Sequence, residues 1–291
     1  MSVDVAVVGT PFLDLTFERL PRLPRIGEEL LGAALHAGPG GAGMQAVGLA
    51  RLGLRVALVG PLGSDFGGGF LRAAFEREGV LVVGDDAAGT STTALLSTPE
   101  GVAMATVLEE GEPTVEQVRS TEPRTLVASL GRLHMAPPGA AVYAVTGSLE
   151  VDRVDRGALR ALARVRAFVA TRAEAAALTG RADPEEAARA LSEMGTTGVV
   201  TIGAGGAVAV DGASVHRAAA PDVETVDATG AGDLFTAAFV WADLRGAALQ
   251  ERLAWACLYA GLSVRHPTAL AGALRLDELL REGRDRGLSP P

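Results

Sequence analysis

The chain has 291 residues; 48% of them are hydrophobic, 21% are charged and 4% are aromatic, and the formal net charge is −9 at pH 7. Its mean hydropathy of +0.26 and its mixed charges exclude a disordered chain. Every long uncharged stretch is interrupted by glycine or proline, so we expect no membrane span, which takes about 20 apolar residues. The acidic balance, without a basic cluster, argues against nucleic acid as the main partner.

All 26 basic residues are arginine, and the sequence contains neither lysine nor asparagine. This excludes a Schiff-base or pyridoxal-phosphate enzyme and a standard P-loop nucleotide hydrolase, because both need a lysine amine. The one cysteine, Cys257, lies in an apolar helical run and is expected to pack in the core. No basic segment precedes the first apolar run, so we expect no signal peptide and a cytoplasmic protein.

Short β-branched runs alternate with helical periodicity along the chain. Strands are predicted at residues 3–9, 55–60, 198–202 and 208–211, and helices at 42–52, 67–78, 184–193, 231–244 and 249–263. This alternation is typical of βαβ units, so the sequence predicts an α/β fold with a largely parallel sheet and helices on both faces.

Two stretches break this alternation. Residues 11–37 are rich in proline and weakly patterned, and residues 90–108 read as two short strands around the turn at Pro99-Glu100-Gly101. We interpret both as excursions from the sheet that form a small β-lid. Residues 125–149 contain one or two strands whose ends the pattern does not define.

The strongest chemical signal is the glycine-rich segment that begins the helix at residue 231. Gly230, Ala231 and Gly232 leave backbone N–H groups uncovered at a helix start, where the helix dipole adds positive charge and favours a phosphate or a transferring phosphoryl group. Asp233 in the same turn is suited to act as a general base for a substrate hydroxyl. The alternative is that Asp227 or Asp233 merely caps the helix.

The segment from Asp227 to Asp233, continued by Leu234 and Phe235, resembles the C-terminal signature of the ribokinase-like (PfkB) carbohydrate kinase family. Further segments resemble that family in the same order along the chain: Gly38-Pro39-Gly40-Gly41 with the following residues 46–53, Gly60 to Gly67 ending at Glu78-Gly79-Val80, Glu174 before Leu178-Thr179-Gly180, and Val200 to Ala207. The resemblance spans nearly the whole chain.

The resemblance implies a single ribokinase-like domain over residues 1–291, a Rossmann-like mostly parallel sheet with a small β-lid, and transfer of the ATP γ-phosphoryl group to a sugar-type hydroxyl. It makes Asp233 the base and the amides of Gly230, Ala231 and Gly232 the anion hole. The remaining roles that it implies are acceptor binding by Asp14, Gly40, Gly41 and Met44, nucleotide binding by Thr201, Gly203, Gly205 and Gly206, and action on Mg²⁺ through water by Glu174.

The sequence departs from the family pattern at two positions that bear on the site. Met44 stands where the family has an asparagine that faces the sugar, so the acceptor is expected to be less polar there than ribose. Thr171 replaces the asparagine of the magnesium segment but retains an oxygen. Thr268 replaces a glycine of the segment that completes a monovalent-cation site in some members, so a K⁺ requirement through Asp227 stays open.

The sequence also has features that bear on functions other than a sugar kinase. Residues 41–46 fit the dinucleotide fingerprint G-x-G-x-x-A, but no strand is predicted to end directly in that loop, which argues against a dehydrogenase. A nucleoside kinase of the same family and a non-catalytic kinase-like binding protein both stay open, and retention of the acid Asp233 speaks against the second. The resemblance also allows a homodimer through the lid, and the identity of the acceptor is undetermined.

Overall fold

Two main sheets, together with a further pair of short strands, organise the chain, whose computed structural model describes residues 2–109, 111–151, 153 and 157–291. The strands in chain order are β1 (Val5–Val8), β2 (Pro11–Glu18), β3 (Ala34–Gly41), β4 (Val56–Val59), β5 (Leu62–Gly63), β6 (Leu81–Val83), β7 (Asp86–Ala87), β8 (Thr92–Thr98), β9 (Gly101–Val107), β10 (Thr125–Ser129), β11 (Ala141–Val145), β12 (Ala167–Thr171), β13 (Thr197–Thr201), β14 (Ala207–Asp211) and β15 (Ser214–Ala218). The α-helices are α1 (Ala42–Arg51), α2 (Phe66–Arg77), α3 (Val115–Ser120), α4 (Ser148–Val151), α5 (Arg172–Thr179), α6 (Pro184–Ser192), α7 (Ala231–Leu244), α8 (Leu249–Ser263), α9 (Ala269–Gly272) and α10 (Leu276–Asp285).

The larger sheet has the strand order β15-β14-β13-β12-β11-β10-β1-β4-β6. Its strands pair in parallel from β6 through to β13, and β14 and β15 add to one edge in antiparallel fashion. At the centre, Val5 pairs with Thr125 on one side and with Val56 on the other. Strand β1 is buried on both faces, which explains why its sequence is a continuous apolar run rather than an alternation.

Successive residues of β1 enter two different hydrophobic cores, because side chains alternate between the faces of a strand. Val5 and Val7 pack in the core that contains α1, α7 and α8, whereas Ala6 and Val8 pack in the core on the opposite face. Cys257 lies in the first core and is 3% exposed, so its predicted role in packing is confirmed. Helices therefore cover both faces of the sheet, and the predicted fold class is confirmed.

The smaller sheet, which we call the lid, has the order β3-β2-β8-β9 and is built from the two stretches that break the βα alternation. Strand β2 pairs antiparallel with β3 and parallel with β8, so Asp14 lies opposite Gly38 on one side and Thr93 on the other. Phe17 and Leu35 lie opposite each other and are exposed at 38% and 60%. The homodimer through the lid stays a prediction.

The G-x-G-x-x-A segment at residues 41–46 follows a strand, contrary to expectation. Strand β3 ends at Gly41 and α1 begins at Ala42, so a strand does lead directly into this segment. That strand belongs to the lid and pairs antiparallel with β2, whereas a dinucleotide fingerprint follows a strand of a parallel βαβ unit. The fingerprint is still excluded, for this different reason.

Residues 125–149, whose strands the pattern left undefined, hold β10 and β11, both inside the parallel sheet. The turn predicted at Pro99-Glu100-Gly101 joins β8 to β9. None of the helices formed by the described residues is both long and apolar enough to cross a membrane.

A buried ion-pair network fixes the end of α7 that lies away from its glycine-rich start. Asp243 has a side chain only 1% exposed and accepts hydrogen bonds from Tyr143 on β11 and from Arg166 just before β12. Arg252 on α8 lies 2.9 Å from the same carboxylate. Burial raises the pKa of Asp243, but hydrogen bonds from Arg166 and Tyr143 outweigh it and hold the pKa below its ordinary value.

We expect Asp243→Ala to lower the free energy of unfolding by about 3 kcal/mol, because it leaves Arg252 and Tyr143 without their partner. This is the low end of the range for a broken buried pair, because Arg166 is half-exposed and water can solvate its charge. A carboxylate with a lowered pKa stabilises the fold above its unfolded pKa of about 4, and this contribution is lost as the pH falls through the lower folded value. Urea unfolding of both proteins between neutral and acidic pH measures this. Exposed Asp222→Ala is the matched control, and equal urea midpoints for the two variants at pH 7 would contradict the prediction.

Candidate active site

A cleft between the lid and the start of α7 collects most of the predicted acceptor residues. It is lined by Asp14, Thr16, Gly38, Pro39, Gly40, Met44, Asp227, Thr229, Gly230, Thr268, Ala269 and Leu270. Strand β2 leaves the parallel sheet at the carboxyl end of β1, so the cleft lies where open α/β sheets place their ligands.

The start of α7 depends on a glycine for two reasons. Gly230 has a left-handed backbone with φ of 78°, and a Cβ built on it would lie 2.6 Å from the Cβ of Ala269. The N–H of Ala231 donates to the carbonyl of Ala228 at 3.2 Å. Within the described part of the chain, the N–H groups of Gly230 and Gly232 have no such backbone partner, so two of the three amides predicted for the anion hole are free to bind an anion.

Asp233 lies in the first turn of α7 and is half-buried. Its Oδ1 accepts a hydrogen bond of 2.8 Å from Nε2 of Gln45 on α1. Burial raises the pKa of Asp233 to about 7; the hydrogen bond from Gln45 opposes this, and the charge of Glu174 adds to it. Gly230 occupies the N-cap position and α7 has no side-chain cap, so the alternative that Asp233 or Asp227 caps this helix is excluded.

Asp14 lines the cleft from β2, whereas Asp233 and Gly232 in the first turn of α7 and Gly41 before α1 are not among the residues that line it. A Cβ built on Gly40 would lie 2.1 Å from Oδ2 of Asp14, so the glycine makes room for this carboxylate. Burial raises the pKa of Asp14 to about 7, and the negative charges of Asp233 and Asp227 add to the shift. The charge of Asp233 thus disfavours the ionised form of Asp14.

Asp227 occupies the loop before α7 and is 5% exposed. Its Oδ1 accepts a hydrogen bond of 2.8 Å from the backbone N–H of Thr229. Its Oδ2 is buried and has no hydrogen-bond partner among the residues that the structure describes. A buried carboxylate oxygen without a partner is costly, and a bound cation is one way to offset that cost.

Met44 lies in the first turns of α1, is 3% exposed and lines the cleft. Its Cγ would be 3.7 Å from a Cβ built on Gly230, so it packs close to the glycine-rich turn. Gly41, the residue before α1, has φ of 54°, which a non-glycine residue adopts rarely. The thioether thus presents an apolar wall where the family pattern has an amide.

Glu174 and Thr171 are joined at the start of α5 by a capping box. The backbone N–H of Thr171 donates to Oε2 of Glu174 at 2.8 Å, and the hydroxyl of Thr171 accepts from the backbone N–H of Glu174 at 3.3 Å. Burial raises the pKa of Glu174. The oxygen that Thr171 retains therefore serves the helix start, and Oε1 of Glu174 has no partner within the described ranges.

The predicted nucleotide residues lie together on the turn between β13 and β14. Thr201 ends β13, next to Thr171 at the end of β12, and Gly203 and Gly205 form a short 3₁₀ turn. A Cβ on Gly206 would lie 1.9 Å from the carbonyl oxygen of Ala218, and its φ is 87°, so no other residue fits there. These residues do not line the cleft; they follow the carboxyl end of β13, whose neighbour β12 leads into Glu174.

The described residues contain no group of three or more His, Cys, Asp or Glu side chains that could hold a metal ion. The functional contact that the sequence analysis missed is Gln45 to Asp233, which joins residues 188 positions apart. No local pattern signals it, because it depends on how α1 and α7 pack.

Known proteins similar to this chain agree on one family. The family model of pfkB family carbohydrate kinases matches residues 4–137 and 140–274. The acarbose 7(IV)-phosphotransferase of Actinoplanes sp. is 32% identical over 299 residues, which cover 96% of this chain and 97% of that protein. The chain belongs to the pfkB family of carbohydrate kinases.

Solved structures show the same fold at lower identity. The ribokinase of Thermotoga maritima superposes with a TM-score of 0.83 at 19% identity, covering 97% of this chain and 99% of that one. The Arabidopsis thaliana ribokinase complexed with ribose and ATP superposes with a TM-score of 0.79 at 22% identity, covering 97% of this chain and 99% of that one. The adenosine kinase of Sinorhizobium meliloti superposes with a TM-score of 0.81 at 22% identity, covering 98% of this chain and 100% of that one.

Family membership fixes the class of reaction. The chain is an ATP-dependent carbohydrate kinase, a phosphotransferase that acts on a sugar hydroxyl. A non-catalytic binding protein is thereby excluded.

The space beside Gly40 generates a prediction. Gly40→Ala forces the carboxylate of Asp14 to move, so we expect kcat/KM for the acceptor to fall by about 10- to 100-fold, the loss of one hydrogen bond to a charged group. The KM for ATP should be unchanged. Initial-rate kinetics with each substrate varied in turn measure both. Gly69→Ala on α2, where an added Cβ meets nothing within 4 Å, is the control. Equal kinetics for the two variants would show that the space beside Gly40 does not matter for acceptor binding by Asp14.

Proposed function

We propose that this kinase transfers the γ-phosphoryl group of ATP to a hydroxyl of a sugar or sugar-like acceptor bound between Asp14 and the start of α7. The observation that carries the proposal is the position of two half-buried carboxylates, with Asp14 in the wall of the cleft and Asp233 in the first turn of α7, a helix start with free N–H groups. One carboxylate would accept a proton and the other would hold hydroxyl groups.

Asp233 is proposed as the general base. Phosphoryl transfer needs an in-line hydroxyl and an acceptor for its proton, and catalysis rests on positioning and charge stabilisation. Support comes from the pKa of Asp233, which burial raises to about 7 and so matches proton transfer near neutral pH. With Oδ1 bonded to Gln45, Oδ2 is the oxygen available to the acceptor hydroxyl.

The amides at the start of α7 are proposed to stabilise the transferring phosphoryl group. The N–H groups of Gly230 and Gly232 are without backbone partners in the described structure, and the helix dipole adds to their attraction for negative charge. Preorganised donors of this kind cost no reorganisation during the reaction. Ala231 contributes less, since its N–H is bonded to the carbonyl of Ala228.

The nucleotide is proposed to lie along the turn that holds Thr201, Gly203, Gly205 and Gly206, with Glu174 nearest its phosphates. A carboxylate oxygen is the ligand type that Mg²⁺ or its bound water prefers, and Oε1 of Glu174 lacks a partner in the described residues, so this residue fits a magnesium role. Bound Mg²⁺ would neutralise charge on the phosphates. The residues of the chain orient the nucleotide and exclude water.

Asp227 is proposed as the residue that holds a monovalent cation such as K⁺. Its Oδ2 supports this role, because this oxygen is buried without a hydrogen-bond partner among the described residues and a bound cation would offset its negative charge. The cation would add to the order of the loop before α7. Thr268 also lines the cleft, and its hydroxyl caps α9 by accepting from the N–H of Ala271 at 3.2 Å.

The acceptor is proposed to be a sugar or sugar-like molecule with an apolar edge toward Met44. The relative named for acarbose favours a sugar over a nucleoside, and the buried thioether of Met44 offers no hydrogen bond to a hydroxyl at that point. ADP release measured with a panel of sugars, sugar acids, sugar-like oligosaccharides and nucleosides tests the class. A turnover confined to nucleosides would overturn it.

We expect Asp233→Asn to lower kcat by about 10²- to 10⁴-fold, the usual contribution of a positioned base, with little change in ATP affinity. Because protonated Asp233 cannot accept a proton, wild-type kcat should fall as the pH drops through about 7. Steady-state kinetics across this range and calorimetric titration with ATP measure both effects.

Asp227→Asn is the matched comparison for that experiment, since it removes the same charge six residues earlier. It should change loop order or cation dependence more than proton transfer. Near-native kcat in Asp233→Asn would remove Asp233 from the mechanism.

We expect Met44→Asn to raise kcat/KM for ribose and simple hexoses relative to the native acceptor, because leaving their hydroxyls unpaired in a closed site costs about 1–3 kcal/mol each. Kinetics across the acceptor panel give the ranking. Met44→Leu keeps an apolar side chain of similar volume and is the control. The same ranking in all three proteins would show that Met44 does not face the acceptor.

A further inference from the structure

Gln45 is a buried amide whose partner is charged. It lies on α1, is 8% exposed, and its Nε2 donates to Oδ1 of Asp233 at 2.8 Å. A polar side chain buried this deeply is costly unless it is hydrogen-bonded, and here the bond is made to the residue proposed as the base. The contact ties the first turns of α1 to the first turn of α7.

We propose that Gln45 is a positioning residue for phosphoryl transfer, which holds Oδ1 of Asp233 so that Oδ2 faces the acceptor hydroxyl. The inference rests on the proposed role of Asp233 as the base. A carboxylate rotates almost freely about its last side-chain bond. Fixing one oxygen therefore orients the other, and misplacing a reacting group by even a small distance is costly in rate.

The surrounding charges make this hydrogen bond more important. Burial and the charge of Glu174 on α5 both disfavour the ionised form of Asp233, and the charge of Asp233 in turn disfavours the ionised form of Asp14 on β2. Gln45 opposes them by donating to the carboxylate. The side-chain amide of Gln45 favours the charged form of Asp233, which is the form able to accept a proton.

The position of Gln45 also relates the base to the lid. Helix α1 follows β3 without an intervening residue, and its first turns carry Met44 toward the acceptor cleft and Gln45 toward Asp233. The segment that shapes the acceptor site therefore also holds the base. If Gln45 acted only through packing, the activity of the enzyme would not depend on the ability of its amide to donate a hydrogen bond.

The test uses Gln45→Met, which has similar length and no donor, with the pH dependence of kcat as the readout. We expect the acidic limb of kcat to move to higher pH by about one unit, as for the loss of a hydrogen bond to a charged group, and kcat at the optimum to fall. The KM for ATP should be unchanged. Gln45→Glu, which keeps the shape but places a second carboxylate against Asp233, should move the limb in the same direction and serves if Gln45→Met does not fold.

Gln250→Met is the matched control, since Gln250 on α8 donates to the carbonyl of Arg217, and neither residue lines the cleft. An acidic limb at the wild-type pH in both Gln45 variants would overturn the inference, even if their thermal stability falls. Adding Gln45→Met to Asp233→Asn should cause no further loss of kcat, because the two residues act as a unit. Near-native kcat in Asp233→Asn alone would instead defeat the proposed base, so the two failures are distinguishable.

Discussion

The left-handed turn at Gly230 is the constraint on which the site depends. It starts α7 without a side-chain cap, so N–H groups stay free, and it places Asp233 only three residues further on. Anion-binding amides and a carboxylate are thus held within one turn of helix. These two functions conflict electrostatically, because a phosphate attracted by the amides is repelled by an ionised aspartate.

The fold offsets this conflict in several ways. Burial and neighbouring carboxylates raise the pKa values of Asp233 and Asp14 to about 7, so the pair carries less negative charge near neutral pH than two ordinary aspartates. Gln45 prevents the shift from going further by donating to Asp233. The balance leaves Asp233, the proposed base, ionised in a useful fraction of molecules and limits the negative charge around the cleft.

The far end of α7 shows why the helix stays in place. Asp243 ties it to β11 through Tyr143, to the start of β12 through Arg166 and to α8 through Arg252. Strand β12 in turn leads into α5 and Glu174. The helix that carries Asp233, the proposed base, is therefore anchored beside β12, which leads into Glu174 and pairs with β13, the strand that ends at Thr201.

Much of this architecture could be predicted from the sequence, because its signals are local. The apolar run of β1, the helical periodicity of α7 and the turn at Pro99-Glu100-Gly101 each lie within a few residues. Strand β12 was not predicted, since Ala167–Thr171 follows a weakly patterned stretch, and the strands of residues 125–149 could not be delimited. The Gln45 contact could not be predicted at all, because it depends on the rotation of one helix against another.

The orientation of α1 against α7 also separates the residue that lines the cleft from the residue that contacts Asp233. Successive residues of an α-helix point about 100° apart, since a turn takes about 3.6 residues. Met44 and Gln45 are neighbours in sequence, yet one lines the acceptor cleft and the other contacts the base. A substitution at Met44 therefore changes what the acceptor meets while the donor to Asp233 stays on a different side of the helix. This arrangement would let acceptor preference vary within the fold without displacing Asp233, the group proposed to receive the proton.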